Sequence, residues 1–281
     1  MAATSRALQR LSFSSAALLV VGCCCGGSKQ ALLAQHSSFN MGKGSSGFSA
    51  TASASSCNSN NVLMPSMIVF DLDDCLWTPE MHELSGMPSI PVEGPLDPSD
   101  NNSELGTVGM KVPSRRRRGN NNKGFDWGGY ANDDGEEVVE LYPGARLVLR
   151  ELATNPKYAA VKIAVASSSL EPSYSRACIN GIEIVDGVTM EDMISYSQIG
   201  REGQLTSRKT SHFKLLQAQS GIPYDEMLFF DDCNWGDHVG DLQDAFGVTG
   251  IRTPQGLQVA EFHQGLEKLE VEESNIVNAY T

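Results

Sequence analysis

The sequence predicts an α/β fold in which a parallel sheet is flanked by helices on both of its faces. Three observations predict it. Continuous apolar runs of strand length recur along the chain, and two of them end on acidic residues. Segments with helical periodicity, closed by Gly or Pro, separate these runs. Unbroken apolar runs are typical of strands buried on both faces, and alternation of strands with helices builds a parallel sheet.

Composition limits the size and the function classes of this protein. The chain has 281 residues, of which 41% are hydrophobic, so we expect one packed domain with appendages. The net charge of −13 argues against a general nucleic-acid binder, which needs a basic face. Seven clustered cysteines do not make a disulfide scaffold. No apolar run reaches the roughly 18 to 20 residues of a membrane span, so we expect no membrane partner.

The first 61 residues form a predicted leader outside the fold. Residues 1–66 contain no Asp or Glu, and Arg6 and Arg10 precede a short apolar stretch at residues 16–21. This pattern is typical of a targeting segment for an organelle, a plastid or a mitochondrion. The alternatives are a disordered extension without an address and a cytoplasmic protein. The folded domain is expected at residues 62–270, followed by a tail at residues 271–281.

The elements of that domain follow in order. Met67–Asp71 is the first predicted strand, and residues 79–137 then lose periodicity, with recurring Pro, Gly and Asn. We interpret residues 79–137 as a long loop or low-complexity insert, in which Arg115–Arg118 form a solvated run, a nuclear address or a phosphate-attracting patch. The remaining predicted elements are a helix at 144–154, a strand at 161–166, a helix at 172–180, a helix at 207–220, a strand at 227–231, a helix at 238–246, a strand at 247–251 and a helix at 255–269.

Acidic residues end two of the predicted strands. Asp71, Asp73 and Asp74 follow the first strand, and Asp231-Asp232 end the third. The carboxyl ends of parallel strands meet at one edge of a sheet, where these carboxylates would repel one another unless a cation lay between them. An all-oxygen ligand set favours Mg²⁺. The competing interpretation is that the acids cap the following helices.

Two further segments could bind phosphate. Ser167-Ser168-Ser169 follow the second of the four strands, where hydroxyls and free N–H groups can hold phosphoryl oxygens. Lys209 lies in the first turn of a predicted helix, where the helix dipole disfavours a cation unless an anion is near. Residues 42–47 match a dinucleotide fingerprint by letters only, because they follow no strand. His212 and His238 are expected to be structural.

These motifs together resemble the magnesium-dependent phosphatases of the haloacid dehalogenase superfamily. The segment Asp71-Leu-Asp73-Asp74-Cys75-Leu-Trp77 is similar to motif I of that superfamily, whose usual form is Asp-x-Asp-x-Thr. The other matching segments are 141–144, 165–167, 209–213, 221–223 and 229–232. The resemblance implies a Rossmann-like fold with little or no cap domain. Two departures stand out: Cys75 replaces the usual threonine, and Asp74 has no assigned role.

The resemblance also implies roles for individual residues. Asp71 would be the nucleophile and Asp73 the general acid/base of a phosphoaspartate mechanism. Asp231 would be an outer partner of the metal site. The implied metal ligands are Asp71, Asp73 through its carbonyl, and Asp232. The implied phosphate-binding residues are Leu72, Asp73, Ser167, Ser168 and Lys209.

The function expected from these residues is Mg²⁺-dependent hydrolysis of phosphate monoesters, either phosphotyrosine in proteins or sugar phosphates. The substrate would therefore be a phosphorylated protein or a small phosphomonoester, and we expect a monomer. Within enzymes, the alternative is a phosphotransferase or a carrier-protein-loading relative. Two alternatives from other classes are a catalytically silent binding protein with the same fold and a nucleic-acid binder acting through the arginine run.

Overall fold

The computed structural model describes residues 64–100, 102–114 and 136–279 of the 281-residue chain. The predicted leader at residues 1–61 and the arginine run at residues 115–118 lie outside these ranges. The described elements, in chain order, are β1 (Met67–Phe70), β2 (Trp77–Thr78), β3 (Ile90–Pro95), β4 (Leu105–Lys111), β5 (Val138–Leu141), α1 (Pro143–Thr154), β6 (Lys162–Ser167), α2 (Pro172–Gly181), β7 (Glu183–Val185), β8 (Val188–Thr189), α3 (Met190–Met193), β9 (Ile194–Ile199), α4 (Lys209–Ser220), β10 (Met227–Asp231), α5 (His238–Phe246), β11 (Thr249–Arg252) and α6 (Val259–Ala279).

The predicted parallel sheet is confirmed, and it has five strands in the order β11-β10-β1-β6-β9. Strand β1 lies at its centre, where Val69 pairs with Phe229 on one side and Ala164 on the other. All four residues of β1 are buried, as the unbroken apolar run predicts. The edge strand β9 was not predicted. Its four inner residues are Ser, Tyr, Ser and Gln, so the sequence shows no continuous apolar run there.

Helices cover both faces of this sheet. Successive side chains of β1 point to opposite faces, and those on each face pack in a different hydrophobic cluster. Ile68 and Phe70 belong to the cluster that includes Leu149 of α1 and side chains of α6. Val69 belongs to the cluster that includes Phe213 of α4 and side chains of α5. The sheet is therefore buried on both faces, and a site can form at the ends of its strands.

The prediction of a loop over residues 79–137 is wrong for a large part of that range. Strands β3 and β4 lie within it, and they join an antiparallel sheet in the order β2-β5-β4-β3. Pro91 and Pro95 lie in β3, at the edge of the sheet, where a missing N–H is tolerated. A Cβ on Gly109 would lie 2.8 Å from the carbonyl oxygen of Val139 in β5. The Pro residues that suggested a loop thus lie in an edge strand, and Gly109 allows β4 to lie close to the β5 backbone.

The four earlier predicted helices are observed within two residues of their expected bounds. The last helix begins at Val259 rather than residue 255, because Gly256 adopts φ 73° in a turn that its N–H closes on the Thr253 carbonyl. Helix α6 continues to Ala279, so the expected tail at 271–281 is helical over most of its length. Across the described ranges, no helix combines the length and apolar character needed to span a bilayer.

Candidate active site

The acidic clusters converge at the carboxyl edge of the central sheet, since β10 and β1 are parallel neighbours. Asp71 directly follows β1, and its N–H continues the pairing by donating to the Phe230 carbonyl at 2.9 Å. Asp231 is the last residue of β10, and Asp232 comes next. One carboxylate oxygen from each of Asp71, Asp231 and Asp232 lies within 4.8 Å of the other two. All three side chains are buried.

Lys209 places its ammonium group inside this acidic cluster. Its Nζ lies 2.6 Å from Oδ1 of Asp71 and 3.2 Å from Oδ2 of Asp231, and it donates to the Ala166 carbonyl at 2.7 Å. Only 1% of the Lys209 side chain is exposed, whereas Lys214, the other lysine of α4, is exposed. Burial disfavours the charged form, but the carboxylates outweigh it and raise the pKa of Lys209. The lysine therefore remains an ammonium ion.

The cluster fits a divalent cation, because one ammonium cannot neutralise three carboxylates. Burial, together with Asp231 and Asp232, raises the pKa of Asp71 well above its ordinary value, and burial raises the pKa of Asp232 to about 6. Within the described residues, Oδ2 of Asp231 is buried and accepts no hydrogen bond, although Lys209 lies at ion-pair distance. The carboxylate oxygens that Asp71 and Asp232 bring into this cluster are hard ligands of the kind that Mg²⁺ takes.

Asp73 opens onto the same cavity as Asp71, while the Leu72 side chain between them is buried in the core. This is the alternation expected for an extended segment. Trp77 donates its indole N–H to Oδ1 of Asp73 at 2.8 Å, and the Leu72 N–H donates to Oδ1 of Asp71 at 2.8 Å. Burial raises the pKa of Asp73 to about 6. A carboxyl group of this kind can both donate and accept a proton near neutral pH.

The serine segment lies at the end of β6, next to β1. Ser167 is 1% exposed, and the Ser169 N–H lies 3.3 Å from its Oγ. His212 of α4 lies behind it, with Nε2 3.1 Å from the Ser167 carbonyl and 3.2 Å from that of Gly200. Burial and Lys209 lower the pKa of His212, so a neutral ring holds the two backbone segments in place. His212 is therefore structural here.

A cavity of about 210 Å³ lies above these groups. Its lining includes five of the predicted site residues, namely Asp71, Asp73, Ser167, Ser168 and Asp232. Sequence reasoning missed other lining residues, which come from irregular segments and carry no periodic signal. They are Glu80, His82, Leu170, Arg201 and Trp235, whereas Ser169, which also lines the cavity, belongs to the predicted serine segment. For Trp235 the sequence did hold one indication of a place near the site, because this residue comes three positions after the Asp231-Asp232 pair that ends a predicted strand.

Both departures in motif I have local partners. The Cys75 Sγ lies 3.6 Å from the Phe230 carbonyl and accepts from Oγ1 of Thr253 at 3.4 Å, so the thiol keeps a polar contact. Asp74 has φ 57°, a conformation that Asp adopts more readily than most residues. Its Oδ2 accepts from the Asn234 side-chain amide at 3.1 Å, which ties the segment after β1 to the loop after β10.

Comparisons with known proteins extend over most of the described domain. The family described as Acid Phosphatase matches residues 63–272. Magnesium-dependent phosphatase 1 of Homo sapiens is 30% identical over 204 residues, which cover 73% of this chain and 86% of that protein. A HAD-like hydrolase superfamily protein of Schizosaccharomyces pombe is 28% identical over 173 residues, 61% of this chain and 78% of that protein.

A solved phosphatase domain of Bacteroides fragilis, complexed with Mg, has a TM-score of 0.37 at 16% identity, covering 73% of this chain and 40% of that one. The family match extends over the residues that form the acidic cluster, the lysine and the cavity. The chain therefore belongs to the Acid Phosphatase family, and it is a magnesium-dependent phosphatase of the haloacid dehalogenase superfamily.

Proposed function

We propose that this phosphatase hydrolyses phosphate monoesters through a covalent aspartyl phosphate on Asp71. One observation carries the proposal: the Asp71 carboxylate lines the cavity 2.6 Å from the Lys209 ammonium, with Asp73 opening onto the same cavity. A nucleophilic carboxylate, a fixed positive charge and a carboxyl group with a raised pKa are the three groups that phosphoryl transfer to an aspartate requires.

Charge neutralisation is the first task of the site. The proposed Mg²⁺ ligands are the side chains of Asp71 and Asp232 and the carbonyl of Asp73, with Asp231 holding Lys209 from behind. When bound, Mg²⁺ supplies positive charge that offsets repulsion between the nucleophile and the phosphoryl oxygens. Lys209 neutralises a further oxygen. The hydroxyls of Ser167 and Ser168 and the Leu72 N–H are proposed to orient the same phosphoryl group, a positioning that such reactions depend on.

The chemistry then proceeds in two steps. Asp71 attacks phosphorus in line, a P–O bond to its carboxylate forms, and the bond to the leaving oxygen breaks as Asp73 donates a proton to that oxygen. In the second step Asp73 takes a proton from water, the water oxygen attacks phosphorus, and the bond to Asp71 breaks. Inorganic phosphate leaves and Asp73 is protonated again. General acid/base work of this kind typically contributes ~10²- to 10⁴-fold.

The proposed physiological substrate is phosphotyrosine in a protein, so the leaving group is the aromatic side chain of tyrosine. Trp235 lines the cavity with 76% of its surface exposed, and its indole N–H is fixed by Glu80 Oε1 at 2.8 Å. His82 meets the Trp235 ring edge-on at 6.3 Å between centroids. An exposed, fixed ring at the mouth of a phosphate site offers a stacking surface to another ring. Sugar phosphates, which lack an aromatic face, are the competing substrate class.

Trapping the intermediate tests the mechanism. Asp71→Asn is expected to abolish release of inorganic phosphate from an aryl phosphate with Mg²⁺, whereas Asp73→Asn should accumulate acid-stable label from a ³²P-labelled aryl phosphate. The label should be released by hydroxylamine, which cleaves acyl phosphates. Asp225→Asn, an exposed aspartate at the opposite end of β10, is the matched control and should behave as wild type. Turnover that survives Asp71→Asn would eliminate the mechanism.

Substitution of the exposed ring tests the substrate class. Trp235→Ala should raise KM for a phosphotyrosine peptide severalfold, because a stacking contact worth about 0.5–1.5 kcal/mol is lost. Trp235→Phe keeps a ring and should restore most of the affinity. If Trp235→Ala instead raises KM for hexose phosphates and leaves the peptide unaffected, the aromatic leaving group is wrong.

A further inference from the structure

We propose that a second cavity beside the active site, lined by Arg201 and Arg208, binds a second anionic group carried by the leaving group of the substrate. The anionic group is a phosphate or a carboxylate. This inference rests on the proposed function, because it deals with the part of the phosphomonoester that Asp71 does not attack.

The second cavity adjoins the first. Its volume is about 410 Å³, and three residues line both cavities: Ser168, Arg201 and Trp235. Arg208 lines the second cavity and lies outside the first. A substrate whose phosphoryl group reaches Asp71 can therefore extend past the shared wall toward Arg208. The two cavities thus share a wall formed by Ser168, Arg201 and Trp235, and the proposed substrate occupies both of them.

The two arginines have unused charge. The Arg201 Nε donates to the Ser168 carbonyl at 2.7 Å, which fixes the side chain. Seven ion pairs occur across the described residues, and neither Arg201 nor Arg208 belongs to any of them. Two guanidinium groups without an ion pair, lining one cavity, are available for an anion from outside.

The chemistry of the guanidinium group specifies the ligand class. Its planar fork of N–H donors matches the paired oxygens of a carboxylate or a phosphate, and such bonds are among the stronger ones in proteins. One carboxylate, Asp241 in the first turn of α5, also lines the second cavity. It opposes binding of an anion, so the arginines carry the attraction and Asp241 limits it. Removing an arginine should therefore weaken binding of the second anionic group, and removing the charge of Asp241 should strengthen it.

The test uses pairs of substrates that differ in one negative charge. The first pair is a phosphotyrosine peptide with Glu next to the phosphotyrosine and the same peptide with Gln there. The second pair is a hexose bisphosphate and the matching hexose monophosphate. The quantity measured is the ratio of kcat/KM for the more charged member to that of the less charged member. A ratio above one in the peptide pair alone, or in the hexose pair alone, identifies which source supplies the anion.

Arg208→Ala should lower this ratio about two- to fivefold, as expected for loss of a charge pair at an exposed arginine. Arg208→Lys should restore part of the ratio, and Asp241→Asn should raise it above the wild-type value. Arg176→Ala removes an exposed arginine of α2 that lines neither cavity and should leave the ratio unchanged. Thermal unfolding of each variant establishes that it is folded.

Equal kcat/KM within both wild-type pairs, or an equal loss on both members in Arg208→Ala, would overturn the second anion site and leave the phosphatase mechanism standing. Absence of a hydroxylamine-sensitive phosphoenzyme in Asp73→Asn would instead overturn the proposed mechanism, and the anion site would fall with it. The two failures are thus separate results.

Discussion

At the scale of single residues, two aspartates that are only two positions apart in the sequence have different hydrogen-bonding and charged neighbours. Asp71 lies against the Lys209 ammonium, whereas Asp73 has the neutral indole N–H of Trp77 as its partner. An ammonium at 2.6 Å favours the carboxylate form of Asp71, but burial, Asp231 and Asp232 still raise the pKa of Asp71 well above its ordinary value, and a bound divalent cation would lower it. Asp73 has no such ammonium beside it, and burial raises its pKa to about 6. These neighbours support the proposed roles, with Asp71 the nucleophile beside positive charge and Asp73 the group that exchanges protons.

The raised pKa of Asp73 predicts a pH profile. In the proposed mechanism leaving-group departure needs protonated Asp73, so the single-turnover rate of phosphoenzyme formation from an alkyl phosphate should fall as pH rises above about 6. Asp73→Asn should be slow at every pH and show no such fall. A nitrophenyl phosphate, whose leaving group needs little protonation, is the control and should show a much shallower profile. Equal pH profiles for the two substrates would contradict the role of Asp73.

His212 predicts a pH effect on stability. Burial lowers its pKa below the ordinary value near 6.5, so the unfolded chain takes up a proton before the folded one does. Unfolding free energy should therefore fall as pH drops through about 6.5. Urea unfolding at pH 7 and pH 5.5 should show a smaller drop in His212→Gln than in wild type. His263→Gln, at an exposed position of α6, should retain the wild-type drop.

The residues that sequence analysis identified and those it missed differ in their surroundings. Asp71, Asp232 and Ser167 follow buried strands, whose apolar runs mark where each strand ends. Arg201 and Trp235 lie in irregular segments after β9 and β10, where no periodicity tells which side chain turns toward the cavity. Their positions depend on long-range packing. Candidate site residues at strand ends are therefore predictable from the sequence, and cavity-lining residues on loops are not.

At the scale of elements, the errors fall where strands are half-exposed. The strands β1, β6 and β10 are buried on both faces and read as apolar runs. In contrast, β3 has no fully buried residue and contains two prolines and a glycine. Such a strand forms because β4 offers it a partner, not because of its own propensity. Tertiary pairing decides these elements, and single-segment patterns cannot show it.

Glycine substitutions test the antiparallel sheet. Gly109→Ala should destabilise the protein by about 1–3 kcal/mol, because its Cβ would meet the Val139 carbonyl at 2.8 Å. Gly86→Ala places its Cβ 3.4 Å from a Val112 methyl group, an ordinary contact, and should change stability by no more than about 1 kcal/mol. Urea denaturation measures both. Equal effects at the two positions would mean that Gly109 does not lie against β5.

At the scale of the whole molecule, the site exists only when distant segments close together. Its groups come from residues 71–73, 167, 209 and 231–232, carried by β1, β6, α4 and β10. No local segment contains both the nucleophile and its cation. The cluster also concentrates negative charge in a chain that is already acidic, so folding holds these carboxylates against their own repulsion. Such a site costs stability when no cation is bound.

Metal removal should therefore be visible in unfolding. Mg²⁺ that binds only the folded state stabilises it by about 2.7 kcal/mol at a hundredfold excess over Kd, so Tm should rise by several degrees over the chelated protein.

Asp232→Asn removes one carboxylate from the cluster and should lose most of this shift. Its Tm in chelator should match or exceed that of chelated wild type, because repulsion is relieved. Asp225→Asn, outside the cluster, should keep the full shift. A wild-type Tm that does not respond to Mg²⁺, or a full shift in Asp232→Asn, would show that the cation does not bind among these three aspartates.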